Sequence, residues 1–303
     1  MYDDLVPHIP LEFRCSKAVT LGVFDGVHKG HCEILKKLHQ IDPNHGLVIT
    51  FKTHPDEFLF GRDVNWICSH QQRLDYLKEA GAAHVIEWPF DKSLVEKSAT
   101  DFVQQYFLQE LNCPHVVMGY DLRFGKNAQG NYQFLKNNYS NDLKLSLIEP
   151  FEFEREVVSS TRIREMILSG DMKRTQHMLG RPFSTRGTVV KGFSRGKKLG
   201  FPTANIKPHK DIILPPHGVY AVAMIYKGKR HQSVANLGLR PTFVNDDSPL
   251  LEVHVLDYDD NLYDQQIDIE WQRFIRPEKR FSDQEELITQ INKDIKEVRD
   301  GTS

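Results

Sequence analysis

Cysteine is scarce in this 303-residue chain: Cys15, Cys32, Cys68 and Cys113 stand far apart, with no CxxC pair. That spacing excludes a disulfide framework and points to free thiols in a reducing compartment. Charge of one sign is lacking as well. Against 41 acidic side chains there are 39 basic ones, a formal net charge of −2, which gives no bulk pull towards nucleic acid or an anionic membrane. No apolar run approaches the roughly 20 residues of a membrane span. The opening MYDDLVPHIP carries acids and prolines where a secretory leader needs a basic start and an apolar stretch. A GxGxxG fingerprint is absent, and so are repeats and low-complexity segments. The expectation is an ordinary globular, cytoplasmic chain long enough for two domains.

The first half alternates strand-like and helix-like segments. Residues 18–24 read as a buried strand, 32–39 as a helix with Ile34, Leu35 and Leu38 on one face, 46–51 as a strand and 73–80 as a helix ending at Gly81. Short strands at 84–87 and 115–118 flank a helical stretch at 101–111. This order predicts an open parallel sheet covered on both faces, with its ligand crevice beyond the carboxyl ends of the strands, where 22–31 and 119–130 open. From about Gly180 the segments 184–191, 218–226, 231–236, 250–257 and 266–271 are short and alternating, as in an antiparallel sheet or small barrel. Ser282 and Glu285 are spaced as a capping box for a last helix with Leu287, Ile291, Ile295 and Val298 on one face. Domains 1–180 and 181–303 follow from this change of rhythm.

Gly22-Val23-Phe24-Asp25-Gly26-Val27-His28-Lys29-Gly30-His31 packs three glycines and two histidines into a strand-to-helix turn. Glycines let backbone N–H groups approach a ligand, and the helix N-terminus beyond favours anions. His28 and His31, at i and i+3, can face one point. The turn reads as a phosphate cradle, as a capping turn with two surface histidines, or as half of a zinc site; its glycines favour phosphate. Ser159-Ser160-Thr161-Arg162-Ile163-Arg164 offers hydroxyls and two arginines at a second helix start, either plain caps or a phosphate clamp.

In the second half, Gly192 and Gly196 have three residues between them where a P-loop needs four, and Lys198 replaces its Ser/Thr. What remains is a basic, glycine-rich loop, a solvated turn or a cover for phosphates. Thr203 and Asn205 offer neutral oxygens, suited to a hydrated Mg²⁺ or to a polar strand edge. Glu252 and His254 alternate with apolar neighbours, which by default makes them solvated outward residues. A carboxylate is also the proton acceptor that phosphorylation of an alcohol requires.

GVFDGVHKGH followed by SSTRIR, with GYDLRFGK between them, resembles the HxGH-type nucleotidyltransferases, specifically the adenylyltransferase module of prokaryotic bifunctional riboflavin kinase/FAD synthetases. GRPFSTRGTVVKGFSRGKKLGFPTANI, LPPHGVY, NLGLRPTF, the Glu252 strand and FIRPEKRF resemble the riboflavin kinase module, so the resemblance runs over roughly residues 15–300. It implies a Rossmann-like parallel sheet followed by a riboflavin-kinase β-barrel with a terminal helix. The implied reactions are ATP-dependent phosphorylation of riboflavin to FMN, releasing ADP, and adenylylation of FMN to FAD, releasing pyrophosphate. By the same resemblance Gly22, Phe24, Asp25, Gly26, His28, His31, Ser160, Thr161 and Arg162 hold ATP in the first module, with Asp121 and Arg123 as nucleotide or flavin contacts. In the second, Gly192, Lys198 and Gly200 belong to an ATP flap, Thr203 and Asn205 hold Mg²⁺ and ATP, Glu252 is the base and Arg276 lies near the flavin. The implied partners are the small molecules riboflavin, FMN, FAD and ATP, with no nucleic acid and no membrane. Alternatives are a chain that keeps one activity, transfer of a nucleotide to another phosphate, and a flavin-binding regulator without turnover. The kinase-like half opposes the second of these, and the base and metal-type ligands oppose the last. Asp264 stands where a glycine is usual, Tyr258 where phenylalanine is frequent, and Thr53 where proline is usual.

Overall fold

The computed structural model describes residues 8–112, 115–191, 196, 199–239 and 249–301. The chain falls into two units, Met1–Asn65 with His70–Ser160, and Trp66–Ser69 with Thr161–Ser303. In the first unit, strands β1 (Ala18–Leu21) and β2 (Leu47–Phe51) are buried at every position, as befits strands covered on both faces. With β3 (His84–Trp88), β4 (His115–Gly119) and β5 (Lys144–Ile148) they make a parallel sheet in the order β3-β2-β1-β4-β5. The helices are α1 (Lys29–Ile41), α2 (Pro55–Phe60), α3 (His70–Glu79), α4 (Lys92–Glu96), α5 (Ala99–Phe102), which runs into a π-helix at Val103–Glu110, and α6 (Tyr132–Tyr139).

Successive strand residues point to opposite faces, and this sorts the core into two layers. Ala18, Val48 and Val117 pack with Ile34, Leu35 and Leu38 of α1 and Leu77 of α3. Val19, Leu21, Ile49 and Met118 pack instead with Phe102, Tyr106, Phe107 and Leu135. Since β1 lies between β2 and β4, the chain leaves β1 towards one side and returns on the other. Residues 22–31 and 119–130 leave the carboxyl ends of the neighbouring strands β1 and β4, at the switch point of the sheet. A short hairpin, β6 (Glu152–Phe153) and β7 (Glu156–Val157), then leads to α7 (Ser160–Leu168) and α8 (Met172–Leu179).

The second unit is built on a closed antiparallel barrel of β8 (Phe183–Val190), β9 (Ala204–Pro208), β10 (Gly218–Tyr226), β11 (Lys229–Leu239), β12 (Pro249–Val255) and β13 (Gln266–Arg276), in the order β10-β11-β12-β9-β8-β13. Tyr220, Val222, Ala235, Leu251, Val253 and Trp271 fill its interior, and the indole N–H of Trp271 donates to Thr185 Oγ1 at 2.9 Å. On the outer wall Ala221, Val234 and Ile275 receive Ile295 and Val298 of α9 (Gln284–Asp300). This helix starts one residue later than the Ser282/Glu285 spacing predicts. Asp283 is the cap, accepting from the Glu286 N–H at 2.8 Å, while Glu286 Oε2 accepts from the Ser282 N–H at 3.0 Å. The carboxylate cap satisfies one N–H of the first turn, and Glu286 reaches back one residue beyond the cap, so the capping box expected of Ser282 and Glu285 is replaced by an Asp283 cap. Among the described residues no helix is long and apolar enough to cross a membrane.

Asp264 lies in the left-handed region, φ +62°, its N–H donating to the Val189 carbonyl at 2.9 Å. Glycine carries no Cβ strain there, so Asp264→Gly is expected to stabilise the protein by up to about 1 kcal/mol, read as a higher Tm. A lower Tm would show instead that the Asp264 side chain contributes more than its strained backbone costs.

Two candidate active sites

Between the end of β1 and the start of α1 the backbone bends sharply, with positive φ at Phe24 (+54°), Gly26 (+75°) and Val27 (+40°). Phenylalanine and valine pay for that conformation in steric strain, so the turn must be held from outside. Several bonds hold it. The Gly22 N–H donates to the Ile49 carbonyl (3.0 Å), the Thr50 hydroxyl to the Val23 carbonyl (3.0 Å) and the Ser160 hydroxyl to the Asp25 carbonyl (3.0 Å).

His28 is the cap of α1: its Nδ1 accepts from the His31 N–H at 3.4 Å. The two imidazoles stack, centroids 3.6 Å apart and planes 18° from parallel, and Phe24 meets His31 edge-on at 5.1 Å. A Cβ on Gly30 would lie 3.2 Å from the His28 ring, so glycine makes room for the stack. Capping and convergence of the two rings, separate readings in the sequence, are both carried out by His28. Among the described residues no group of three or more His, Cys, Asp or Glu side chains is placed to hold a metal ion. Asp121 and Arg123 follow β4 on the surface, Arg123 donating to the Leu122 carbonyl at 3.1 Å. Thr161 and Arg162 occupy the first turn of α7, where Arg162 pairs with Glu165 at 2.7 Å.

On the barrel, Asn236, Glu252 and Asn205 are partners in one ladder row across β11, β12 and β9. Residues in such a row share a face, and Leu251 and Val253 point inward, so the row lies on the outer wall. Asn205 is nonetheless only 6 % exposed. His254 is two residues from Glu252 on the same face, its Nδ1–H donating to the Pro202 carbonyl at 2.8 Å. A Cβ on Gly196 would run into the Phe201 carbonyl oxygen and lie 3.3 Å from Thr203 Oγ1, so this point of the glycine-rich loop rests directly on the FPTAN segment. Gly200 follows with φ +87°. Gly192 and Lys198 lie outside the described residues. Asn236 carries no signal in its own segment that singles it out; only the strand register sets it opposite Glu252. Its amide donates to Glu278 Oε1 across a long 3.5 Å contact.

The FAD synthetase family model matches residues 12–162 and the riboflavin kinase family model residues 179–302. A bifunctional riboflavin kinase/FMN adenylyltransferase of Listeria monocytogenes is 34% identical, aligned over 94% of this chain and 92% of its own. Another, from Bacillus subtilis, is 32% identical over 96% and 94%. This chain belongs to the bifunctional riboflavin kinase/FMN adenylyltransferase family. A crystal structure titled as a macrolide-efflux protein from Streptococcus pneumoniae has the same fold throughout, with a TM-score of 0.86 at 29% identity, covering 98% of this chain and 96% of that one.

Within the riboflavin kinase module, Arg276 is engaged by α9. It donates to Asp294 through Nε (3.0 Å) and Nη2 (2.8 Å), and the Gln290 amide adds a bond to the same carboxylate at 2.8 Å. Asp294 is buried, so this fork-to-carboxylate pair fastens the helix to β13. The helix thereby sets the orientation of this guanidinium.

Proposed function

We propose that the second unit phosphorylates riboflavin to FMN and that the first joins AMP to FMN, giving FAD. The observation that carries this reading is the ladder row of Asn205 and Glu252, which sets a carboxylate beside a buried side-chain amide. Glu252 takes the proton of the ribityl 5′-hydroxyl as that oxygen bonds to the γ-phosphorus of ATP. The bond from γ-phosphorus to the bridging oxygen breaks, and ADP leaves. Thr203 and Asn205 supply neutral oxygens next to a carboxylate, a donor set that suits Mg²⁺ among phosphates and water. They would hold the ion, which when bound neutralises phosphate charge.

The adenylyl step needs no base, because the FMN phosphate is already ionised. Its oxygen attacks the α-phosphorus of ATP, the bond to the α,β-bridging oxygen breaks, and pyrophosphate leaves. Positioning and charge neutralisation carry the rate. His28, His31 and the 22–26 backbone take the phosphates, with Ser160 holding the Asp25 carbonyl of that turn. Asp121 and Arg123 contact nucleotide or flavin, and Gly192, Lys198 and Gly200 cover ATP in the kinase. Arg276 borders the flavin there. We assign residues 1–180 and 181–303 to the two modules; the family matches end at 162 and begin at 179, and the compact units divide between Ser160 and Thr161. The protein works in the cytoplasm, where its ATP is. This chemistry calls for no nucleic acid and no membrane.

A time course of purified protein with riboflavin, ATP and Mg²⁺, with flavins separated by chromatography, tests the reading. FMN should rise first and FAD follow. FMN alone would remove the adenylyl step, and if neither appears, FMN supplied directly decides whether the first unit is active.

A further inference from the structure

Arg73, on α3, is 1 % exposed, an unusual place for a guanidinium. Its Nη1 donates to the Val23 carbonyl at 3.3 Å and its Nη2 to the Phe51 carbonyl at 2.6 Å, with Glu87 Oε1 3.5 Å away. One side chain thus ties together the carboxyl ends of β1, β2 and β3. Glu87 is held in turn by His70, whose Nε2 lies 2.6 Å from it. A second donor converges on the same point, for the buried Thr50 hydroxyl also donates to the Val23 carbonyl, at 3.0 Å.

Val23 is the last residue before the positive φ angles of Phe24 and Val27, which cost on the order of 1–3 kcal/mol each and persist only where surrounding groups over-determine them. Buried ion pairs are poor stabilisers compared with apolar packing. Stability alone therefore gives little reason to aim a buried arginine at two backbone carbonyls. We propose that Arg73 and Thr50 are positioning residues of the adenylyl-transfer site: by fixing the Val23 carbonyl they hold the strained turn that sets His28 and His31 in their stack. The inference rests on the reading of that turn as the ATP site.

The test uses the full chain and measures FAD formation from FMN and ATP, with riboflavin phosphorylation and thermal unfolding followed on the same preparations. Thr50→Val removes one hydroxyl at constant shape and should raise KM for ATP by about two- to tenfold, the worth of a single hydrogen bond, while Thr50→Ser restores it. Arg73→Lys keeps the charge but cannot reach both carbonyls, and should lower kcat/KM for ATP by about ten- to a hundredfold. The double variant should lose less than the product of the two, because both residues act on one carbonyl. KM for FMN and riboflavin phosphorylation should not move.

A merely structural pair would lower Tm and the active fraction, hence kcat, with KM for ATP unchanged; that result overturns the proposal, and so do losses that multiply. Should Arg73→Lys fail to fold, the Thr50→Val and Thr50→Ser pair decides alone. His31→Ala separates the two levels of inference. If it abolishes FAD synthesis while Thr50→Val and Arg73→Lys are silent, only this proposal falls. If it too is silent, the reading of the site falls with it.

Discussion

Glu252→Gln is expected to reduce FMN formation by about a hundred- to ten-thousandfold, the range supplied by a positioned proton acceptor, while conversion of added FMN to FAD continues at the wild-type rate. The substitution keeps the shape of the side chain and removes its basicity. Its ladder partners, Asn205 and Asn236, face a neutral amide as readily as a carboxylate, and Leu251 and Val253 on the opposite face stay in the barrel core. Thermal unfolding of the same preparation shows whether folding is touched. A deficit confined to the kinase step, at unchanged Tm, locates the loss in chemistry. Loss of both activities would mean either damage to the chain as a whole or a wrong assignment of Glu252. Glu252→Asp sharpens the result. It keeps a base and withdraws it by one methylene, so a partial deficit is expected if placement of the carboxylate matters as well as its charge.

The legibility of this chain followed burial. β1 and β2 were readable because strands covered on both faces are continuous apolar runs, and β10 because its alternate residues enter the barrel or lie beneath α9. β5 was not, since Lys144–Ile148 sits at the sheet edge with every residue at least partly exposed. The switch from α- to π-helix at Val103 leaves the apolar residues recurring as in any helix, so periodicity could not register it. Sites divide along the same line. The His28/His31 pair was legible because three residues of one helical turn determine it. The row of Asn205, Glu252 and Asn236 depends on the register of strands far apart in the chain, and each strand alone said only that its polar residue points outward. Arg73 was hidden for a related reason. A charged residue on a helix is read as solvent-facing, and only the strand ends brought beneath α3 supply the acceptors that let it be buried. Arg276 shows the converse: a motif can single out a residue without disclosing that a buried carboxylate on a later helix already holds it.

His31→Ala should mirror the kinase variant, lowering FAD synthesis by about a hundred- to a thousandfold, the loss seen when one charge-stabilising donor leaves a transition state, with riboflavin phosphorylation untouched. The geometry makes this a clean substitution. The bond that starts α1 runs from the His31 backbone N–H to His28 Nδ1, so alanine at 31 keeps the cap and loses only the ring. His28→Ala removes the cap and a ring together, and should cost about 1 kcal/mol of stability in addition to activity. Comparing the pair by FAD formation and thermal unfolding divides what the turn does for the fold from what it does for the phosphates. Equal losses of Tm would mean that the stack itself supports the helix. Wild-type FAD synthesis in His31→Ala would remove the phosphate role from this turn altogether. With the cap intact and the stack broken, the remaining activity measures what the site supplies without the His31 ring.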